Sequence, residues 1–498
     1  MLNWKKQGKG RFLTVILAAG LLASLAGCSR ETGLAPSEDE FATQPGMESG
    51  AQTESVPEVL PKPPEPPLAP SFSEAEETVD EPIPEETTSQ ELPEKRVIEN
   101  IIIGTDIHYL APSLTDGGPR FQEMVEYGDG KVVTYISEIT EAFLDEVISL
   151  RPNALILSGD LTLDGEKASH EGLAGQLYRV EEAGVPVLVI PGNHDINNRQ
   201  AARYEGTQRL PAEFTTPEEF REIYQDFGYN EAISEDSRSL SYVYQLDENT
   251  RMLMLDTCQY RPKGKVGGAI LSSTYDWIER QLEQAWDDSM DIIPVAHHNL
   301  LDQSEIYVDN CTIEHGEQLA DLLEEWDVPL FLSGHLHVQH TKRSADNMGV
   351  WEMVTASLAT PVCQYGVLEY RENGSFQYKT WALDVEGWAA EKGVTEKDLL
   401  EFDRFKEPFL RKVFYNQSMA ALELVPELSE EQKKQMSELY GEMNYYYYQG
   451  TAYQMRDRVK QNPAYGLWLE EGAASVLGDY VVYIMEDAKR DYNRVIEE

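Results

Sequence analysis

Six of the nine histidines in this 498-residue chain fall in four short segments. These are Asp106-Ile107-His108, Gly192-Asn193-His194-Asp195, His297-His298 and Gly334-His335-Leu336-His337, and a Gly159-Asp160 pair lies between the first two. Asp106 and His108 are two apart, so on an extended backbone they leave on the same side. Gly159 and Gly192 permit sharp turns that aim Asp160 and Asn193 inwards. The donors are carboxylate, amide and imidazole, with no thiolate among them. That set suits Mn, Fe, Zn or Co better than a structural zinc cage. One carboxylate, Asp160, can bridge two ions about 3.5–4 Å apart. The chemistry of such a set is that of a two-metal site.

Side chains can converge in this way only if something positions them, and the sequence supplies it. Short apolar runs at Ile101 to Ile103, Ala154 to Leu157, Val185 to Ile190, Met252 to Leu255, Ile292 to Ala296 and Leu330 to Leu332 each precede one polar segment. Runs without alternation predict strands covered on both faces. Helical stretches separate them, at Tyr135 to Leu150, Leu173 to Ala183, Thr274 to Ala285 and Gln318 to Trp326. The expected class is a layered α/β domain with its site at the carboxyl ends of the strands.

The five segments, in this order and each behind a strand, resemble the calcineurin-like metallophosphoesterases over about residues 97–385. The resemblance implies a two-sheet sandwich flanked by helices. It implies one metal held by Asp106, His108, Asp160 and His337, and a second held by Asp160, Asn193, His297 and His335. His297 is taken ahead of His298 from the family's spacing, although Asn299 stands where that pattern often has proline. His194 matches the catalytic histidine that protonates the leaving alkoxide, and Asp195 is expected to orient its ring. The cofactors implied are two divalent or trivalent ions (Mn, Fe or Zn), with a hydroxide between them as nucleophile. Leu163 stands where purple acid phosphatases carry a tyrosine ligand, so no iron-tyrosinate colour is expected. Asp256 reads as structural.

Charge limits the partners. Lys plus Arg is 41 against 88 Asp plus Glu, a net charge of −47. Such a chain does not hold nucleic acid polymers through its overall field, and a small anionic phosphoester needs local cations. Lys5, Lys6, Lys9 and Arg11 precede an apolar run from Phe12 to Leu25, and Leu25-Ala26-Gly27-Cys28 follows. This resembles a bacterial lipobox and predicts lipidation at Cys28, which anchors the protein on the outer face of the cell membrane. Residues 31–94 hold twelve prolines and 17 acidic residues against the single basic Lys62, the composition of an extended tether. The expected domains are a leader (1–28), a tether (29–95), the catalytic domain (96–388) and an all-α domain (389–498).

In the last of these, Ser429 with Gln432 predicts a capping box, and Thr395 with Asp398 a second helix start. Leu400, Phe402, Phe405, Phe409 and Leu410 form an apolar stripe. Tyr445 to Tyr448 reads first as packing, and in a sharper reading as an aromatic wall for substrate. His170, His315 and His340 read as capping or surface histidines, and Arg199 and Arg203 as a solvated face. Cys258, Cys311 and Cys363 require no disulfide. The helical domain behind the catalytic core resembles surface lipoprotein cyclic-nucleotide phosphodiesterases of Gram-positive bacteria. The expected function is phosphodiester hydrolysis with cyclic nucleotides foremost. The alternatives are a phosphatase acting on monoesters, wall polymers or lipid head groups and, outside enzymes, a solute-binding lipoprotein.

Overall fold

The computed structural model describes residues 97–261, 264–303, 310–345, 349–371 and 374–497. The leader, Cys28 and the tether lie outside the described residues. In chain order the strands begin with β1 (Val97–Gly104), β2 (Ala154–Ser158) and β3 (Val187–Ile190). A hairpin of β4 (Ala202–Glu205) and β5 (Gln208–Pro211) follows. Then come β6 (Ser234–Glu235), β7 (Tyr242–Gln245), β8 (Thr250–Leu255), β9 (Asp291–Ala296) and β10 (Leu330–Ser333). The series closes with β11 (His340–Arg343), β12 (Trp351–Val354), β13 (Gln364–Arg371), β14 (Phe376–Ala382) and β15 (Arg494–Glu497).

These strands form two mixed sheets. One has the order β15-β14-β13-β1-β2-β3 and the other β11-β12-β10-β9-β8-β7-β6. β1, β2 and β3 are parallel, as are β8, β9, β10 and β12. Met252, Met254, Ile293, Val295, Leu330 and Leu332 share one buried cluster with Ile101, Ile103, Leu155 and Leu157 of the first sheet. Their neighbours Leu253, Leu255, Ile292, Ala296 and Phe331 pack instead under the helices Ser272–Asp287 and Gly316–Glu325. The period-two alternation of the strand therefore carries apolar residues on both faces, which is why these segments read as unbroken apolar runs. Each fully buried aliphatic side chain stabilises by about 1.5–3 kcal/mol.

A second core, built on Phe414, Tyr440, Met443, Trp468 and Ile484, holds the helices Phe402–Leu422, Glu430–Tyr448, Pro463–Glu470 and Gly478–Asp487. Ser429 and Gln432 form the expected capping box. Thr395 and Asp398 do not. The short helix Lys397–Leu400 starts from Glu396 without a side-chain cap, and Asp398 accepts instead from the Tyr135 hydroxyl at 3.0 Å. The expected boundary after residue 388 falls inside the helix Val385–Lys392, whose Val385 and Ala389 pack on the catalytic core with Leu399 and Phe402. The helical region also returns to the first sheet, because β15 pairs antiparallel with β14. The described residues form one compact unit.

Candidate dinuclear metal centre

The loops after β1, β2, β3, β9 and β10 meet at one place, stitched backbone to backbone. The Asp106 N–H donates to the Gly159 carbonyl at 3.0 Å, and the Gly334 N–H to the His297 carbonyl at 3.0 Å. Asp106, His108, Asp160, His335 and His337 all have φ between 48° and 71°. Left-handed backbone is costly for residues with a Cβ, and it gathers where a site over-determines it. Gly159 has φ 94°, the turn expected of it. Gly192 has a different role from the turn expected. A Cβ there would stand 2.1 Å from the Asp160 N, so it is a close approach that demands glycine.

Two groups of donors result, all buried except the half-buried Asn193. In the first, Asp106, His108, Asp160 and His337 bring ligand atoms within 4.8 Å of one another. His108 Nε2 lies 3.0 Å from His337 Nε2 and 3.7 Å from Asp160 Oδ2, and His337 Nε2 lies 3.3 Å from Asp106 Oδ1. In the second, His297 Nε2 stands 3.1 Å from Asn193 Oδ1, 3.2 Å from His335 Nδ1 and 3.5 Å from Asp160 Oδ2. The one oxygen Asp160 Oδ2 thus faces both groups, the position a bridging carboxylate needs.

The remaining bonds aim these atoms. His297 Nδ1 donates to the Ser158 carbonyl at 2.9 Å and His335 Nε2 to the Asn310 carbonyl at 2.9 Å, which turns His297 Nε2 and His335 Nδ1 towards the site. Asp106 Oδ2 accepts from the Thr105 hydroxyl and the His335 N–H, while Oδ1 is buried without a hydrogen-bond partner. Asp160 Oδ1 accepts from the His194 N–H at 2.8 Å. An orphaned buried carboxylate oxygen and converging imidazole nitrogens fit cations and are costly otherwise. Burial, with the neighbouring charge of His297, pushes His335 down to about 4. Burial and then Lys131 hold His108 well below the imidazole range. Both are therefore neutral ligands. Burial alone would raise Asp160, but His297 and His194 hold it well below the usual carboxylate range.

His298 also comes near His335, with ring centroids 4.6 Å apart. Both its nitrogens are engaged, Nδ1 with the Thr257 hydroxyl at 2.7 Å and Nε2 with the Val266 carbonyl at 2.8 Å. His297 is accordingly the histidine turned to the site.

His194 stands beside the donors, its Nε2 4.0 Å from Asp160 Oδ2. Its Nδ1 lies 2.9 Å from the Leu163 carbonyl and 3.1 Å from Asp164 Oδ1. This corrects the expectation for Asp195. The Asp195 carboxylate accepts from the N–H groups of Leu161, Thr162 and Gly192 and from the Thr162 hydroxyl, and so ties the two loops together. Burial pulls His194 down, but Asp160 and then Asp164 outweigh it and raise it to about 9.

Other expectations are refined. His170 is fully buried, bonded to the Tyr224 hydroxyl at 3.0 Å and the Asp195 carbonyl at 3.0 Å. His340 is buried and stacks on Tyr492 at 4.0 Å, with Gln303 Oε1 at 2.7 Å and Asp487 Oδ2 at 3.2 Å. His315 is exposed before the helix Gly316–Glu325. Asp256 accepts from the Leu240 and Cys258 N–H groups and the Tyr260 hydroxyl. Arg203 pairs with Glu205 on the exposed face of β4. Tyr447 and Tyr448 are buried in the helical core, and Tyr445 and Tyr446 pack against it. The tyrosine run is therefore packing. Among the described residues, Cys258, Cys311 and Cys363 form no disulfide. No helix among the described residues is long and apolar enough to cross a membrane. Three cations, Arg120, Lys131 and Arg209, share a cavity with His194 and belong to no motif.

Residues 100–339 match the family model of calcineurin-like phosphoesterases, and residues 384–491 match the C-terminal domain of cyclic nucleotide phosphodiesterase. A "probable cyclic nucleotide phosphodiesterase" of Synechococcus sp. is 29% identical over 187 residues, covering 37% of this chain and 58% of the relative. The chain thus spans little more than half of that relative's length. A "probable glycerophosphodiester phosphodiesterase" of Arcobacter nitrofigilis is 25% identical over 273 residues, covering 54% of this chain and 83% of the relative. Among solved structures, a dimetal phosphatase from Danio rerio is 13% identical with TM-score 0.42, covering 57% of this chain and 96% of that one. Two-metal donor geometry and both family matches lead to one conclusion: residues 100–339 are a calcineurin-like phosphoesterase domain, followed by a region like the C-terminal domain of cyclic nucleotide phosphodiesterase.

Proposed function

We propose that the protein is a phosphodiesterase whose foremost substrates are cyclic nucleotides, working with two Mn, Fe or Zn ions on the outer face of the cell membrane. The observation that carries the chemistry is Asp160 Oδ2 facing both donor groups, with the non-ligand imidazole of His194 4.0 Å away. The metal pair, when bound, supplies Lewis acidity and an activated water. The chain's own residues do the rest. Asp160, Asp106, Asn193 and the four ligand histidines fix the place of the phosphoryl group. As the imidazolium, His194 commits its Nδ1–H to Leu163 and Asp164 and keeps its Nε2–H to deliver to the departing alkoxide. Asp164 stays outside both donor groups, so its support of the imidazolium persists when Asp160 is engaged.

Diester preference is supported by the helical region's match and by the names of the relatives. The glycerophosphodiester name of the Arcobacter relative, most of whose length is covered, favours glycerophosphodiesters as the second substrate class. Lipid anchoring is supported by the basic flank, apolar run and Leu25-Ala26-Gly27-Cys28. Purified protein loaded with Mn, Fe or Zn is screened against bis(4-nitrophenyl) phosphate, 4-nitrophenyl phosphate, cyclic nucleotides and glycerophosphodiesters. Diesters are expected to exceed monoesters in kcat/KM. Monoester turnover at least as fast replaces this reading with a general phosphatase. Mature protein without an acylated Cys28 on mass spectrometry removes the anchor.

A further inference from the structure

A cavity of about 330 Å³ opens beside His194, and neither donor group uses it. Met124, Val133 and Leu163 give it an apolar lining. Two rings join them, the buried Tyr204 and the Tyr127 ring, which is 67% exposed. Lys131, Arg209 and Arg120 bring cations, and each already faces a carboxylate, Arg120 with Glu123 at 2.7 Å. Lys131 Nζ is 2.9 Å from Asp129 Oδ2, and Arg209 Nη2 is 3.7 Å from Asp164 Oδ2.

This lining selects against several leaving groups. A second phosphate would meet Glu123, Asp129 and Asp164 as readily as the three cations. A small polyol would leave Met124, Val133, Leu163 and the two tyrosine rings without an apolar partner. An aliphatic chain would strand the Lys131 ammonium, which is only 6% exposed and has three donors to satisfy. A flat heterocycle meets all three demands. Its faces lie on apolar and tyrosine surface, and a ring nitrogen or carbonyl on its edge accepts from Lys131.

The loop that presents Lys131 is held by the helical region. Gln417 Nε2 donates to the Gly128 carbonyl at 2.6 Å, Asn416 Nδ2 to the Glu126 carbonyl at 3.2 Å, and Lys412 pairs with Glu126 at 3.1 Å. Leu410 packs so close to Gly130 that a Cβ there would stand 2.6 Å from its Cδ1. On the other side the Val132 N–H donates to the Ala359 carbonyl at 2.8 Å.

We propose that this cavity is the leaving-group subsite and takes a nucleobase, with Lys131 as its specificity-determining residue and Gln417 as a positioning residue supplied by the helical region. The proposal rests on the phosphodiesterase reading above.

The test compares two substrates with the same reacting ring, 2′,3′-cyclic adenosine monophosphate and glycerol 1,2-cyclic phosphate, on the metal-loaded full chain in detergent. Wild type is expected to show a KM about ten-fold lower for the nucleotide. Tyr127→Ala and the charge-neutral pair Asp129→Asn with Lys131→Met should abolish most of that ratio, leaving metal content unchanged. Gln417→Ala should raise KM for the nucleotide without lowering kcat for the glycerol ester. Equal KM values in wild type, or equal shifts for both substrates in the variants, overturn the subsite. If no cyclic diester is turned over, the phosphodiesterase reading fails, and the subsite is judged on the same ratio between adenosine 3′-monophosphate and glycerol 2-phosphate.

Discussion

Asp164 Oδ1 lies 3.1 Å from His194 Nδ1, while four residues upstream Asp160 Oδ1 accepts the His194 backbone N–H at 2.8 Å. One loop thus holds both the main chain and the imidazole of the same histidine. It does so with two carboxylates of different duty, one turned towards the metal donors and one clear of them.

Asp164→Asn should therefore keep both metals and lose rate selectively. The amide no longer supports an imidazolium, so kcat for an alkyl diester should fall about ten- to a hundred-fold, and that for a nitrophenyl diester by much less. Metal analysis and paired kcat values check this. Equal losses for both leaving groups count against Asp164 as the orienting residue.

Asp160→Ala and His194→Ala should separate binding from chemistry. The first removes the oxygen shared by both donor groups, so metal content, activity and the gain in Tm on adding metal should all fall. The second should keep most of the metal and cost roughly 10²–10⁴ in rate with poor leaving groups. Loaded wild type should hold about two ions and be colourless, because residue 163 is leucine.

Asp195→Ala is expected to act through structure. It leaves three N–H groups and the Thr162 hydroxyl without their carboxylate, in a fully buried place. A loss of about 2–4 kcal/mol in urea unfolding, with reduced metal content, is expected. A variant of normal stability that loses only leaving-group protonation would falsify this assignment.

Glu352 gives the stability curve a pH dependence. Burial pushes it up to about 7, against four donors from Ser333, Leu300, Leu301 and Gln303. Between the unfolded value of about 4.5 and about 7, the folded state keeps a proton that the unfolded state has lost. Stability therefore falls as pH rises through that window. Glu352→Gln cannot titrate and turns an amide towards those donors. It should be the less stable protein at pH 5, with the gap narrowing by pH 8. Urea midpoints at the two pH values test the sign, and a gap that widens contradicts it.

The strands and donors were legible because burial on both faces and metal affinity each demand particular residue types. Ile101 to Ile103 suits little besides a buried strand, and His335-Leu336-His337 behind such a strand suits little besides a pair of ligands. Asp164 and Asp195 were not separable in this way. Either carboxylate could reach His194 along the chain, and only the fold shows that Asp195 turns back to the Thr162 loop. Lys131 carried no local signal, since its place depends on Gly128 and Gly130 being gripped by a helix some 280 residues further on. β15 was hidden for the same reason. Arg494 to Glu497 is a short mixed segment that becomes a strand only because the exposed edge of β14 offers it a partner.

That last pairing makes the helical region an insertion between two neighbouring strands of one sheet. β14 ends at Ala382 and β15 begins at Arg494, so everything from 383 to 493 is a loop whose ends the sheet must bring together. Closing so long a loop is entropically unfavourable until the helices have folded and set their two ends side by side. Melting the helical core would in turn release β15 and bare the edge of β14. The two cores are thus bound into one folding transition, and the sheet that carries Asp106 cannot be complete while the helices are open.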